Sequence, residues 1–478
     1  MAQHGPAQLD PSDRFQLGDG GARFAGAAVI LGFIALMVGL LLGAFFAEGV
    51  ARFFFSYLIA FAMVLSLSLG AMFLVLILHL TRAGWGVVIR RPAEAMASAF
   101  PVLAVLFLPI LATVLLGSGL IYRWVPMSTG VIEAGHHITD NSPAHNETPI
   151  EGASQYDAAT SLAPTTEQGE AAQGEAGAKV GPGHGAVQGL DTEAYYVEGK
   201  WPYLSWWFFT LRWIVYFAAW LVIGRWYWRH SVAQDASGEV GHTTAMEGRA
   251  APALLVFAIT ITFAAFDLLM TLSPAWYSTI FGVYYFTGGT LGALALLILL
   301  LAKLQDTGRL GRTVTVEHYH DLGKLLFGFV FFWGYIAFSQ YMLLWYASIP
   351  ETAYWFDARG ITTAAGGFNH GTVLGVVLLF GHFILPFVGL MSRHVKRRRP
   401  LLVAWAAWLL VMHYLDLYWL AMPELTGEFF SVGLLIDATV LLGVLGIWLG
   451  AVLHRLGGIS LAPTRDPRLD ESLAFENI

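Results

Sequence analysis

Six ionisable side chains stand inside long apolar segments of this sequence, and they are the residues best placed to do chemistry. An ionisable group in hydrocarbon costs about 3 kcal/mol on insertion scales unless it is paired or hydrated. Such residues therefore mark structural ion pairs, or routes for protons and polar ligands. They are Arg212, Asp267, His382, His413, Asp416 and Asp437.

Two of these residues are spaced to act together. His413 and Asp416 are three positions apart, hence on one helix face, and Tyr418 and Trp419 follow them. Quinol oxidation needs groups that accept hydroxyl protons and aromatic walls for the ring, whereas a proton relay needs only the carboxylates, the histidine and water. Both interpretations stay open, as does a structural ion pair between Arg212 and one aspartate.

The predicted site is a proton path or quinol pocket, and no residue in it is assigned as catalytic. Its candidates are Asp267, Asp416, His413, Asp437, Arg212 and Gln340. His382 is interpreted as a hydrogen-bonded interior residue rather than a ligand. Clustered histidines can bind metal, but those between positions 121 and 200 lack a regular spacing, so no metal site is predicted. Those histidines are His136, His137, His145 and His184.

The elements that must position these residues are transmembrane helices. A chain of 478 residues with 56% hydrophobic and 12% charged residues has more apolar surface than a water-soluble fold can bury. Ten segments are long enough to span about 30 Å of hydrocarbon as helices, which predicts an all-α polytopic membrane protein. The segments are 24–46, 54–80, 96–120, 203–225, 251–272, 281–303, 324–347, 369–391, 401–422 and 432–454.

Two four-helix units are predicted to be related by duplication. Ser68-Leu69-Gly70-Ala71 is echoed by Thr290-Leu291-Gly292-Ala293, and Asp267 precedes Pro274 by as many residues as Asp416 precedes Pro423. Helices 2 to 5 and 6 to 9 then form two bundles, with one flanking helix at each end. The predicted division is a tail 1–23, a first helix 24–50, a first bundle 51–272 containing a long polar loop 121–200, a second bundle 273–422, a last helix 423–454 and a tail 455–478.

Basic residues predict the orientation, because they accumulate in short cytoplasmic loops. With both termini in the cytoplasm, the loops on that side hold most arginines, including Arg90, Arg91 and the run Lys396 to Arg399. That run is interpreted as a topology anchor beside lipid, not as a nucleic-acid patch. Loop 121–200 then lies on the outer side, and Arg52 is expected in an outer loop.

Cysteine is absent, and this removes several cofactors from consideration. There is no thiolate for an iron-sulfur cluster and no C-x-x-C-H motif for covalent haem. Two b-type haems would need four paired histidines, more than the helices supply. If the protein serves electron transfer, its redox centres belong to partners.

The chain resembles the NrfD and polysulfide-reductase type of quinone-interacting membrane subunit, and most closely the second large membrane subunit of alternative complex III. The residues that carry the likeness are Phe266-Asp267-Leu268 with Ser273 to Ser278, Phe338-Ser339-Gln340-Tyr341-Met342 with Trp345 to Glu351, and His413 to Asp416. The likeness covers nearly the whole membrane region, but not loop 121–200 or the tails.

The resemblance implies a subunit of a quinol:cytochrome c, or quinol:electron acceptor, oxidoreductase in a bacterial inner membrane. Its expected partners are a related NrfD-like membrane subunit, an iron-sulfur protein, multihaem and monohaem cytochrome c subunits and a terminal oxidase. Haem c and iron-sulfur clusters would lie in those partners, and menaquinone or ubiquinone would be the quinone. In such assemblies this subunit's counterpart is proposed to carry protons. Two alternatives stay open: a secondary transporter with a buried Asp/Arg site, and a structural membrane anchor.

Overall fold

The computed structural model describes residues 13–46, 49–128, 195–347, 349–361, 369–426, 431 and 433–477. Over these residues it contains helices and two isolated β-bridges, and no strand. Ten of the described helices are long and apolar enough to cross a membrane, so the predicted all-α polytopic fold is confirmed. They are α1 (Gly18–Phe45), α2 (Gly49–Leu80), α3 (Gly84–Leu115), α4 (Trp206–Ser237), α5 (Val240–Leu272), α6 (Phe281–Asp306), α7 (Val316–Ala347), α8 (His370–Met391), α9 (Arg399–Glu424) and α10 (Leu434–Leu456).

Each helix coincides with a predicted segment, but several run further into polar sequence. α4 continues to Ser237 and α5 begins at Val240, so the two form a long hairpin closed by Gly238 at φ 73°. Hydropathy reports only the part of a helix that lies in hydrocarbon, and these polar turns were therefore not predicted. Most of the predicted loop 121–200, with its histidines, lies outside the described residues.

Two spanning helices are interrupted, which the apolar pattern did not predict. α3 consists of Val87–Ala97 and Phe100–Leu115, with a break between them that precedes Pro101. α8 contains a π-helical segment, Leu379–Ile384, in its middle. A π segment inserts an extra residue into a helix and is often found at functional sites.

Helices α2 and α6 form the centre of the molecule and run parallel. The Tyr285 hydroxyl donates to the Ala62 carbonyl at 2.6 Å, and a methyl group at Gly289 would lie 2.8 Å from the Ser66 carbonyl oxygen. Both pairs differ by 223 positions (285 − 62 and 289 − 66), close to the spacing of the repeated Leu-Gly-Ala segments. Each helix thus meets its own counterpart, as expected for units related by a rotation axis between them. The predicted boundaries of the two bundles remain a prediction.

The first and last spanning helices pack along a glycine seam. A methyl group at Gly32 would lie 2.8 Å from the Gly443 carbonyl oxygen, and one at Gly450 would lie 2.7 Å from that of Ala25. From Ala25 to Gly32 the residue numbers increase along α1, while those of their partners decrease from Gly450 to Gly443 along α10, so the two helices are antiparallel. Only glycine permits so close an approach of two backbones.

Both described ends of the chain lie at one end of the helix bundle. The Leu461 amide donates to the Phe15 carbonyl at 2.6 Å, and the Arg309 guanidinium donates to the Leu17 carbonyl at 2.5 Å. We call this the terminal end and the other the distal end. Helices α4, α6, α8 and α10 begin at the distal end, where α5, α7 and α9 finish.

Candidate functional site

All three buried carboxylates predicted for the site lie in the distal half of the bundle. Asp267 is the penultimate residue of the α-helix Val240–Leu268, and Asp437 is in the first turn of Leu434–Leu456. Asp416 lies in the last two turns of the α-helix Arg399–Ala421. Each is at most 3% exposed. Their surroundings nevertheless differ, and this difference distinguishes their roles.

Asp267 is paired with an arginine. The Arg212 guanidinium donates Nε and Nη2 to the two carboxylate oxygens at 2.8 Å each, and the Tyr216 hydroxyl donates to Oδ2 at 2.9 Å. The guanidinium also lies 3.9 Å from the centre of the Tyr203 ring. This is the structural ion pair that the sequence allowed. Its negative charge is compensated, so the pair serves mainly to join α4 and α5.

Asp437 is likewise paired, with an arginine that the sequence interpretation misplaced. Arg52 lies on α2, not in an outer loop, and its Nη2 is 2.8 Å from Asp437 Oδ2. The Ser56 and Tyr418 hydroxyls donate to the same carboxylate at 2.5 and 3.0 Å. The apolar segment was taken to begin at residue 54, five residues after the start of α2 at Gly49. The spacing of Arg52 and Ser56, one turn apart, was the signal that both face one partner.

Asp416 differs from both, because no lysine or arginine of the described residues forms an ion pair with it. The Tyr284 hydroxyl donates to its Oδ1, and the Trp333 indole donates Nε1–H to Oδ2 at 3.1 Å. The residue is 1% exposed. A buried carboxylate that is bonded only by neutral donors can take up and release a proton. A carboxylate paired with an arginine instead keeps a fixed negative charge.

Two histidines accompany Asp416. His413 lies one turn earlier on α9, and its Nε2 is 2.8 Å from the Ser66 hydroxyl, while its Nδ1 has no protein partner among the described residues. His382 lies in the π segment of α8, its ring centre 4.0 Å from that of Trp333. Neither of its ring nitrogens has a hydrogen-bond partner in the described part of the chain, which corrects the expectation of a hydrogen-bonded interior histidine.

A cavity of about 440 Å³ opens beside Asp416, between α7 and α8. Tyr284 and Trp333, the two donors to Asp416, belong to its wall, and Gln340 lines it nearer the distal end. The Ser278 hydroxyl donates to the Gln340 side chain at 3.0 Å. The other lining residues are mostly aromatic or aliphatic: Ala337, Phe338, Tyr341, Phe356, Ile361, Val376, Leu378, Leu379, Phe383 and Trp419.

The six predicted site residues therefore fall into three groups. Asp416, His413 and Gln340 lie in or beside the region of the cavity between α7 and α8. Arg212 forms an ion pair with Asp267, and Arg52 forms a separate ion pair with Asp437. Among the described residues no direct hydrogen bond joins one group to another. The aspartates were predicted from their burial alone, and burial does not reveal which of them lacks a cation.

A second buried charge network lies at the terminal end and was not predicted as one. Arg90 bonds Glu94 at 2.7 Å and Asp466 at 2.8 Å, and Arg91 bonds Asp235 at 2.7 Å. Both arginines had been placed only in a cytoplasmic loop, as basic residues that indicate the orientation. The network fixes α3 to α4 and to the C-terminal segment, contacts that no local pattern encodes.

The described residues contain no group of three or more His, Cys, Asp or Glu side chains arranged for a metal ion. Loop histidines His136, His137, His145 and His184 lie outside them. No protein-family model matches the chain, and no curated protein matches its sequence.

Proposed function

We propose that this chain is an integral membrane subunit of a respiratory quinol:electron acceptor oxidoreductase, and that Asp416 transfers protons at the distal side of the membrane. The single observation that carries the proposal is Asp416 itself: a buried carboxylate that pairs with no lysine or arginine in the described part of the chain and is bonded to two residues of a cavity wall. The electron-transfer context comes from the resemblance of its sequence to the second membrane subunit of alternative complex III.

The cavity between α7 and α8 suits a ring with an apolar chain. Its wall is largely aromatic and aliphatic, and the few polar groups converge on one side, as in sites for small apolar ligands. We propose a menaquinone or ubiquinone as its occupant. Phe338 is 62% exposed, so this wall faces the surface that lipid would cover.

The chemistry assigned to this chain is proton transfer. Oxidation of a quinol releases two protons and two electrons, and the electrons would pass to haem c or iron-sulfur centres in partner subunits. A quinol hydroxyl would give its proton to the Tyr284 oxygen as Tyr284 gives its own proton to Asp416. Trp333 keeps a donor on the other carboxylate oxygen throughout. His413, one turn away, would pass the proton onward.

The partners proposed for this chain follow the same resemblance. They are a related NrfD-like membrane subunit, an iron-sulfur protein, multihaem and monohaem cytochrome c subunits and a terminal oxidase. The membrane proposed is the bacterial inner membrane, with both termini in the cytoplasm. The distal end would then face the outer side, where quinol protons are released.

The test is Asp416→Asn in the complex isolated from native membranes. We expect the quinol:acceptor turnover rate to fall by about 10²-fold or more, since general acid–base groups contribute 10²–10⁴ to a rate. Asp19→Asn, at an exposed carboxylate of the terminal end, is the matched control. Normal turnover with a normal proton yield in an assembled Asp416→Asn complex would refute the role of Asp416.

One observation keeps a secondary transporter as a second candidate. The π segment of α8 interrupts a spanning helix beside His382, and interrupted helices often surround transporter sites. Isolation of the chain without haem or iron-sulfur partners, together with uptake of a solute by proteoliposomes, would favour this candidate over the oxidoreductase.

A further inference from the structure

A second cavity, of about 360 Å³, lies at the distal end where α4 begins and α5 finishes. It is separate from the cavity beside Asp416 and shares no lining residue with it. Its wall is made of Lys200, Trp201, Pro202, Tyr203, Leu204, Phe208, Met270, Thr271, Ser273, Pro274, Trp276 and Tyr277. The proton-transfer role proposed for Asp416 makes no use of these residues.

Lys200 is the one cation among the described residues that line this cavity. Its ammonium donates to the Pro274 carbonyl and lies 5.8 Å from the centre of the Tyr277 ring. It forms no ion pair with any described carboxylate, and Glu198, two residues earlier, is exposed and outside the cavity wall. An ammonium carries three N–H donors, so two remain for a ligand. Burial lowers the pKa of Lys200, a cost that an anion beside it would offset.

Three buried polar groups of the same wall lack a hydrogen-bond partner in the described part of the chain, the hydroxyls of Tyr203 and Ser273 and the indole N–H of Trp276. The Ser273 hydroxyl and the Trp276 indole N–H have no hydrogen bond, although these residues are 3% and 1% exposed. An indole N–H can only donate, and a buried donor left unpaired costs about 1–3 kcal/mol. Both therefore call for an acceptor that the described protein does not provide.

The Asp267 carboxylate does not oppose an anion here. It is paired with Arg212 and accepts a hydrogen bond from Tyr216, and the Tyr203 ring lies against the Arg212 guanidinium on the side of the cavity. Leu204, Phe208 and Met270 give the wall an apolar part. The cavity thus offers a cation and donors together with an apolar surface.

The depth of the cavity indicates where its ligand comes from. Trp201 and Tyr277 on its rim are each 59% exposed, and exposed aromatic residues at the ends of spanning helices sit at the level of lipid headgroups. A lysine ammonium at this level can bind the phosphate of an anionic headgroup through charge-assisted hydrogen bonds.

We propose that this cavity binds an anionic phospholipid, with the phosphate at Lys200, Ser273 and Trp276 and the acyl chains along Phe208 and Met270. A free phosphate shares the headgroup chemistry but has no use for the apolar wall. The proposal is independent of the function proposed for Asp416, because it needs neither a quinol nor redox partners.

The experiment measures thermal unfolding of the full-length chain in dodecyl maltoside micelles. We would titrate it with dioleoyl phosphatidylglycerol, dioleoyl phosphatidylcholine or inorganic phosphate. We expect a saturable rise in the unfolding temperature with phosphatidylglycerol alone. Lys200→Met should weaken that binding about tenfold or more, the effect of losing one charged hydrogen bond. Lys303→Met removes an exposed lysine at the terminal end and should leave binding unchanged.

Conservative variants protect the test against misfolding. Ser273→Ala removes the hydroxyl donor with little change in volume, and Trp276→Phe removes the indole N–H but keeps an aromatic ring against Trp355; each should weaken phosphatidylglycerol binding several-fold. Equal binding by wild type and Lys200→Met would overturn the site. Equal stabilisation by phosphatidylcholine would show an apolar cavity without headgroup recognition, and equal stabilisation by inorganic phosphate would show a soluble-anion site; either result overturns the proposal.

Discussion

Asp267 and Asp416 each stand seven residues before a proline near the distal end of the bundle, yet only Asp267 has an arginine against its carboxylate. Tyr284 and Trp333 hold Asp416 instead. At the two matching positions of the predicted repeats, one aspartate therefore has its negative charge balanced by an arginine and the other does not. In the first the aspartate joins two helices, and in the second it stands beside a cavity.

This difference predicts opposite effects on stability. Asp267→Asn leaves the Arg212 charge buried without a partner and should lower the free energy of unfolding by about 3–5 kcal/mol. Asp416→Asn frees no cation and should cost clearly less. Unfolding of the purified chain in mixed detergent micelles measures both. Arg212→Met combined with Asp267→Leu, which removes both charges, should recover much of the loss; equal losses for the two single asparagine variants would contradict the assignment.

Tyr284 is expected to matter for turnover through its hydroxyl alone. Tyr284→Phe keeps the ring in the cavity wall and removes the donor to Asp416, so turnover should fall about 10²-fold or more while the complex still assembles. Tyr285→Phe is a close control, because the Tyr285 hydroxyl bonds the Ala62 carbonyl at 2.6 Å and not the carboxylate. It should cost about 1 kcal/mol of stability and little activity. Steady-state quinol oxidation by both variants decides the point.

Filling the cavity between α7 and α8 should interfere with ligand entry. Ala337→Phe adds a ring to the wall beside Gly334 and Phe338, and we expect a raised KM for quinol, or lost turnover, in a complex that still assembles. Leu343→Phe places the same ring at an exposed position of α7 outside the wall and serves as control. An unchanged KM for Ala337→Phe would exclude this cavity as the quinol site.

The contact between α2 and α6 should tolerate no side chain. Gly289→Ala would place a methyl group 2.8 Å from the Ser66 carbonyl oxygen, and overpacking of this kind costs about 1–3 kcal/mol. Gly26→Ala is the control, since nothing lies within 4 Å of a methyl group there. The two variants can be compared by their unfolding temperatures in detergent. Equal unfolding temperatures would mean that α2 and α6 can move apart to accept the methyl group without loss of stability.

Hydropathy was sufficient to predict the ten helices, because a span of hydrocarbon sets a minimum length for every apolar segment. It could not predict where polar turns extend α4 and α5, nor the π segment in α8. The repeated Leu-Gly-Ala segments were informative because α2 and α6 meet through them. Helix breaks depend on tertiary packing, which a single sequence does not display.

The sequence predicted which residues belong to the candidate site, but not which of them lie together. Asp267, Asp416 and Asp437 were recognised as ionisable groups that are costly to place in hydrocarbon. Arg52, whose charge balances that of Asp437, was instead placed in an outer loop. Tyr284 and Trp333 were not singled out, because a tyrosine and a tryptophan in an apolar helix are usual in packing. Their importance is apparent only from the carboxylate that they share across three helices.

The glycine seam between α1 and α10 bears on how the protein is made. A ribosome delivers α1 first and α10 last, so the first helix leaves the insertion machinery with its groove of Gly32 and Ala25 uncovered. The first helix stays in the lipid without α10 while some four hundred further residues are synthesised. A nascent chain stopped before α10 would leave that groove exposed to lipid, so the seam is completed only once α10 has been inserted.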